Sequence, residues 1–207
     1  MTPERSRGER PRWTVWEPHQ RNKPRRTRAN VSKKASKIND MSDLLLSRRA
    51  TISACGRYRY RLEREWSDSP KLIFVMLNPS TADADIDDPT IRRCMGFAQR
   101  ENAGGIVVVN LFALRATNPK ALTDNEFRPD GPDNFVALEK VLNEGLRIIC
   151  AWGAHKEARA ASRDFVEHAA KLCVPLFCLG VTGDGSPRHP LYVKANQALV
   201  KFPLAPA

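Results

Sequence analysis

The chain has 207 residues, 42% of them hydrophobic, which suits one domain with a sizeable core better than two full domains. Its net charge of +11 belongs mainly to residues 1–40, where 12 lysines and arginines stand against 4 aspartates and glutamates. No run reaches the roughly 18 apolar residues that span a membrane, and the five cysteines include no C-x-x-C pair. These features argue against a membrane span, a zinc site and a disulfide framework, and they predict a soluble, cytoplasmic protein.

Residues 1–40 form a basic segment without the periodicity of a helix or a strand. The segment lacks the apolar core of a signal peptide, and its composition predicts disorder. Two interpretations stay open. It is either a solvated leader, including sequence upstream of a start at Met41, or an arm that contacts nucleic-acid phosphates. We therefore expect a disordered basic extension over residues 1–40 and a single α/β domain over residues 41–207.

The strands of the domain are predicted from its apolar residues. Residues 57–66 alternate tyrosine and leucine with arginine, which predicts an edge strand with one face in water. Four continuous apolar runs are typical of parallel strands that are covered on both faces. They span residues 72–77, 106–110, 147–152 and 174–179.

Helices are predicted between these strands. Asp88 and Pro89 are a typical N-cap and first residue of a helix that ends at Gly104 and Gly105. Further helices are predicted over residues 132–143 and 154–172. The alternation predicts a three-layer α/β/α sandwich with a mainly parallel four-stranded sheet in the order 2-1-3-4, plus residues 58–66 as an edge strand.

Polar side chains follow the predicted parallel strands, at the edge of the sheet where ligands bind in such folds. Asn78 and Asn110 end the first two strands, Trp152 to His155 end the third, and a glycine-rich segment follows the fourth. An asparagine side chain offers one acceptor and two donors, the complement of a nucleobase edge or a cyclic imide. Trp152 is either a stacking surface or a core residue.

The ordered motifs of the chain resemble the domain-of-unknown-function family 1643 of bacteria and phages, over residues 53–203. They include RYRYRLEREW, VMLNPSTADADIDDPT, VVVNLFALRATNP and AWGAH. Four segments are also similar, in order, to motifs of the uracil-DNA glycosylase superfamily, namely LNPS, VVVNLFALRATNPKAL, IICAWGAH and RHPLY. This sequence departs from that superfamily at Ser80, where the mismatch-specific branch has glycine, and after His189-Pro190, where serine is missing.

The second resemblance implies a uracil-DNA glycosylase-like fold and roles for individual residues. Asn78 would position a water molecule, Asn110 would read an imide edge, and His189 would donate a hydrogen bond to the base oxygen on which charge develops. The other candidates for substrate binding are Ser80, Phe112, Trp152, His155 and Arg188. No metal or cofactor is required. The expected function is recognition of a nucleobase in a nucleic acid or nucleotide, with hydrolysis of its N-glycosidic bond.

A non-catalytic nucleotide- or nucleic-acid-binding module is the alternative function. The helix that begins at Pro89 has Arg92 and Arg93 in its first turn and would receive a phosphate at its N-terminus. Asn78 has an alternative too, as a buried turn former whose side chain satisfies backbone groups of a loop. His189 is either a donor to a ligand or a loop histidine before a proline.

The acidic run before this helix is the remaining candidate for a site. It lacks the glycine and the final glutamate of an EF-hand loop, so we expect no metal there. Asp88 is expected to cap the helix, and Asp83, Asp85 and Asp87 are expected to lie in solvent.

Overall fold

A seven-stranded mixed sheet forms the centre of the domain in a computed structural model, which describes residues 46–80, 82–123 and 127–203. The predicted extension, residues 1–40, lies outside these ranges. The strand order is β1-β2-β4-β3-β5-β6-β7. The strands are β1 (Ser47–Ile52), β2 (Arg59–Glu65), β3 (Lys71–Met76), β4 (Gly105–Asn110), β5 (Arg147–Cys150), β6 (Leu176–Cys178) and β7 (Val200–Lys201).

The predicted α/β class is confirmed, and the sheet is larger than the four strands and one edge strand expected. Four neighbouring strands are parallel, in the order β4, β3, β5 and β6. The other three are added through antiparallel pairs: β2 pairs with β4, β1 with β2, and β7 with β6. β2, predicted at the edge, lies between β1 and β4. The strands that the sequence did not predict are polar and half-exposed (β1) or only two residues long (β7). Neither carries a continuous apolar run.

Among the described residues, three α-helices cover the two faces of the sheet. They are α1 (Pro89–Arg100), α2 (Asn134–Leu142) and α3 (Ala158–Lys171). Side chains of β3 alternate between the faces, as expected of a strand. Ile73 and Val75 pack in the cluster that includes α2 and α3, while Phe74 and Met76 pack in the cluster that includes α1. In the described ranges, no helix combines the length and apolar character needed to cross a membrane.

The first helix begins as predicted and ends earlier. The side chain of Asp88 accepts a hydrogen bond from Ile91 N, which caps α1. The helix ends at Arg100, not at Gly104. Gly104 serves a different purpose, because a Cβ atom there would lie 2.2 Å from Ser69 O. The glycine is required by a close approach of two backbone segments.

The acidic loop before α1 is held by buried arginines, so the expectation that Asp87 lies in solvent is wrong. Arg64 is fully buried, and its Nε donates to Asp87 Oδ1 at 2.8 Å. Arg48 Nη1 donates to the other carboxylate oxygen, also at 2.8 Å. Arg64 Nη2 donates to Asp83 O at 2.8 Å. The loop therefore balances positive charge that β2 carries into the interior. Asp85 is exposed, as expected.

Candidate functional site

A cleft of about 590 Å³ lies where β3, β4 and β5 end. Seven of the eight predicted site residues line it, and Phe112 does not. The seven are Asn78, Ser80, Asn110, Trp152, His155, Arg188 and His189. Register explains why the two asparagines meet: β3 and β4 run parallel with Met76 opposite Asn110, so both chains leave the sheet at the same edge.

Asn78 lines the cleft, and its amide nitrogen is hydrogen-bonded within the fold. Its Nδ2 donates to Ala116 O at 2.8 Å and to Pro79 O at 3.1 Å. Ala116 N in turn donates to Pro79 O at 2.9 Å, which closes the loop around this asparagine. The turn-former interpretation therefore describes Nδ2. The hydrogen bonds of this side chain to described residues all involve Nδ2, so Oδ1 has no described donor, and Asn78 lines the cleft.

Asn110 differs from Asn78 because its amide nitrogen has no partner. The residue is only 1% exposed, and Nδ2 is buried without a hydrogen bond from any described residue. Its backbone is held firmly, since Asn134 Nδ2 donates to Asn110 O and Leu111 O, both at 3.0 Å. The fold thus holds an unsatisfied donor on a residue of the cleft wall. Buried polar groups without a partner are uncommon in proteins and call for an explanation.

His189 presents a second donor. It caps the short 3₁₀ helix Pro190–Tyr192, and its Nδ1 accepts a hydrogen bond from Leu191 N at 3.3 Å. In the neutral imidazole that this bond selects, the proton sits on Nε2. Burial lowers the pKa of His189, although Asp88 acts in the opposite direction. The neutral form is therefore the one present at pH 7.

Ser80 forms a hydrogen bond with Asp88. Ser80 Oγ donates to Asp88 Oδ2, while Asp88 Oδ1 accepts from Ile91 N at 2.8 Å. Both residues line the cleft. The carboxylate is thereby held at the N-terminus of α1, where the helix dipole favours negative charge. Among the described lining residues, Asp88 is the only acid.

The three other predicted residues on the cleft wall have structural partners as well. Trp152 is 4% exposed and packs edge-on against Phe165 and Phe202, with ring centroids 6.4 and 5.7 Å away. Of the two interpretations that the sequence allowed for Trp152, this environment matches a core residue. His155 Nδ1 lies 2.5 Å from Glu157 Oε2. Exposed Arg188 donates from Nε to Val181 O at 3.1 Å.

The arginines expected to receive a phosphate are engaged elsewhere. Arg92 Nη1 donates to Asp87 O at 2.5 Å. Arg93 Nε donates to Pro190 O at 3.2 Å, and its Nη2 donates to Val193 O. Arg93 therefore ties α1 to the segment that carries His189. Because the carboxylate of Asp88 caps this helix and accepts from Ile91 N, the N-terminus of α1 is not open to an anion.

Arg59 is the cleft residue that sequence reasoning missed. The alternation of residues 57–66 placed it on a wet face, yet it is 2% exposed and lines the cleft. Its Nη1 donates to Ala82 O at 2.5 Å, whereas Nε is buried without a partner among the described residues. Thr90, Thr182 and Tyr192 line the cleft too. Tyr192 could have been predicted as a site residue, because it is the last residue of the RHPLY motif.

No group of three or more His, Cys, Asp or Glu side chains within the described ranges is arranged to hold a metal ion. Three of the cysteines, Cys94, Cys150 and Cys178, are buried. Burial raises the pKa of each of their thiols, so they remain protonated core groups. The polar side chains of the described cleft lining are amides, hydroxyls, two imidazoles, two guanidinium groups and one carboxylate.

The fold and the cleft define an α/β protein with a donor-rich site at the carboxyl ends of its parallel strands. A protein-family model described as "Protein of unknown function (DUF1643)" matches residues 59–191. The chain belongs to this family. The matched segment contains every predicted site residue and Arg59. No curated protein and no solved structure matches the chain.

Proposed function

We propose that the cleft binds a nucleobase by its amide or imide edge and that the protein hydrolyses the N-glycosidic bond of that base. The observation that carries this proposal is the buried Nδ2 of Asn110, which has no partner among the described residues and belongs to a residue in the wall of a cleft large enough for such a ligand. An amide buried without a hydrogen bond costs about 1–3 kcal/mol, which a ligand carbonyl would recover. The comparisons give the glycosylase resemblance no support, so the proposal rests on these residues.

The groups in the cleft suit the two ends of this reaction. Water held by Asn78 Oδ1 would attack the anomeric carbon, and the C–N bond would break with its electron pair leaving on the base. His189 Nε2–H and Asn110 Nδ2–H would donate to base oxygens on which negative charge develops. The proton released by the attacking water ends on the base, so atoms and charge balance. Asn78 holds the water but cannot deprotonate it.

Binding without hydrolysis is the second candidate, and one observation favours it. The carboxylate of Asp88, the only acid among the described lining residues, already accepts from Ser80 Oγ and Ile91 N. The one carboxylate of the described lining is therefore engaged in holding the fold and is not free to act as a general base. A base or nucleotide would be held there without its glycosidic bond being cleaved.

The test combines binding with mass detection of released base. The full chain would be incubated with nucleosides, nucleotides and oligonucleotides carrying uracil or modified pyrimidines, and binding would be followed by calorimetry. We expect Asn110→Ala to abolish binding while its melting temperature stays within a few degrees of the wild type. Asn143→Ala is the matched control, because Asn143 is exposed and does not line the cleft.

Each outcome separates the candidates. Released base supports the hydrolase, and binding without release supports the module. Undiminished binding by Asn110→Ala would refute both.

A further inference from the structure

Arg59 places a buried positive charge on the wall of the cleft. Its side chain is 2% exposed and makes one hydrogen bond to the described residues, from Nη1 to Ala82 O. Nε is buried without a partner among the described residues, and no ion pair joins the guanidinium to a described carboxylate. A guanidinium has five N–H donors, so most of its capacity is unused.

The charges around Arg59 do not neutralise it. Burial lowers the pKa of Arg59 to about 10; Asp88 and Asp83 raise it, and Arg115 and Arg64 lower it. The guanidinium is therefore charged at neutral pH. Asp87 is already shared by Arg48 and Arg64, and Asp88 by Ser80 and Ile91 N. The nearby carboxylates of Asp87 and Asp88 are thus bonded to other groups, and Arg59 lines the cleft without forming an ion pair with a described carboxylate.

Arg59 and Asn110 together indicate the chemistry of the ligand. Both are at least nine-tenths buried, both line the cleft and both carry an N–H group without a described partner. His189 Nε2–H adds a third donor. A ligand must therefore bring acceptors, and the acceptor that a guanidinium binds best is an anionic oxygen group, in a charge-assisted and often bidentate pair.

We infer that the ligand is a free small molecule whose terminal anionic oxygen group lies against Arg59, and not a nucleotide within a polymer. A base that leaves a strand enters such a cleft first, and its phosphodiesters stay at the mouth, where Arg188 and Tyr192 are exposed. Buried Arg59 is out of their reach. The phosphate of a mononucleotide, or a carboxylate on the base itself, supplies the anion. This inference rests on the proposed recognition of a base.

The test compares ligand pairs that differ by one anionic group, using the full chain and titration calorimetry. Uridine 5′-monophosphate is paired with uridine, and orotate with uracil. We expect at least one anionic member to bind on the order of tenfold to a hundredfold more tightly than its partner. The pair that shows the preference identifies the source of the anion. Equal affinity within both pairs, or tighter binding of a uridine-containing oligonucleotide than of the mononucleotide, would overturn the inference.

Variants then assign the preference to Arg59. Arg59→Met replaces an unbalanced buried charge by an apolar chain, and such replacements are commonly tolerated. It should remove the preference, while Arg163→Met, which changes an exposed arginine of α3 outside the cleft, should keep it. Should Arg59→Met not melt cooperatively, Arg59→Lys takes its place and should weaken the preference several-fold, because lysine lacks the bidentate fork. A preference that survives either Arg59 variant unchanged contradicts the inference.

The two proposals fail in different ways. Binding of uridine without any preference for anions sinks the inference and leaves the proposed function standing. If none of the base-containing ligands binds, but inorganic phosphate raises the melting temperature of the wild type and not of Arg59→Met, the anion site stands and base recognition fails. No binding and no phosphate effect refutes both.

Discussion

Asn78 shows how one side chain serves both the fold and the cleft. Its Nδ2 satisfies two backbone carbonyls, those of Ala116 and Pro79, and its Oδ1 has no described donor. Proline after Asn78 biases that residue toward an extended backbone, which ends the strand without starting a helix. The amide is thereby held at a fixed angle by the same loop that it stabilises.

Asn78→Ala should lower the free energy of unfolding by about 1–3 kcal/mol, because the carbonyl of Ala116 loses its donor inside a partly buried loop. Urea denaturation measures this change. Asn143→Ala, which removes an exposed amide at the end of α2, should change the free energy by less than about 0.5 kcal/mol. Equal effects of the two variants would show that the loop does not depend on Asn78.

His189 makes stability depend on pH. Burial lowers its pKa in the folded state below the ordinary value of 6.5. As pH falls below that value, the unfolded chain binds a proton that the folded protein does not, so stability decreases until the folded-state pKa is reached. Protonation would also set an N–H of the imidazole against Leu191 N–H, which now donates to Nδ1.

We therefore expect the wild type to lose more thermal stability than His189→Gln between pH 7.5 and pH 5. Melting temperatures at half-unit intervals measure the difference. A difference between the two proteins that stays constant, or that grows in favour of the wild type on acidification, would contradict the direction assigned to this pKa.

At the scale of elements, β2 and the loop before α1 form one unit. β2 carries two buried arginines, Arg59 and Arg64, and the loop supplies their hydrogen-bond acceptors. Arg59 donates to the carbonyl of Ala82. Arg64 donates to the carbonyl of Asp83 and to the carboxylate of Asp87. The loop then ends at the N-cap of α1. The acid-rich stretch thus neutralises one buried arginine and leaves the other with a single carbonyl.

Asp87→Ala should destabilise the protein by about 3–5 kcal/mol, because it leaves the fully buried guanidinium of Arg64 without its counter-charge. The control is Asp85→Ala in the same loop. Asp85 is exposed, so the change should be within about 0.5 kcal/mol of zero. Chemical denaturation of both variants decides, and a small effect of Asp87→Ala would show that Arg64 finds other partners.

At the scale of the whole molecule, residues 1–40 are basic and lack the periodicity of a helix or a strand, so their removal takes away no element that the sequence predicts to pack. Removal of residues 1–40 is therefore expected to leave the melting temperature within a few degrees and to reduce the net charge from +11 to +3. Calorimetry of the shortened chain provides the measurement. A larger drop would mean that this segment contributes to the stability of the domain.

The amino-acid sequence by itself determined which segments form the parallel strands and which residues come directly after each of them. Continuous apolar runs need cover on both faces, and this requirement is local enough to be visible in the composition of five or six residues. Asn78, Asn110 and Trp152 could be placed at one edge of the sheet because parallel strands end on the same side. The N-cap Asp88 was visible for the same reason, since capping depends on neighbours within one turn.

Only the tertiary structure decided what each polar side chain does. One acceptor of Asn78 Nδ2, the carbonyl of Ala116, is 38 residues away, and that of Arg59 Nη1 is 23 residues away, so neither pairing could be deduced from local pattern. The edge strands β1 and β7 likewise depend on neighbours that supply their hydrogen bonds. The sequence of β2 alternates as in a strand with one solvent-exposed face. Arg59 and Arg64 are nevertheless buried, because a loop distant in sequence covers them. Hydrogen-bond partners and solvent exposure are properties of the packed chain, and they divide the cleft into groups that hold the fold and groups that remain for a ligand.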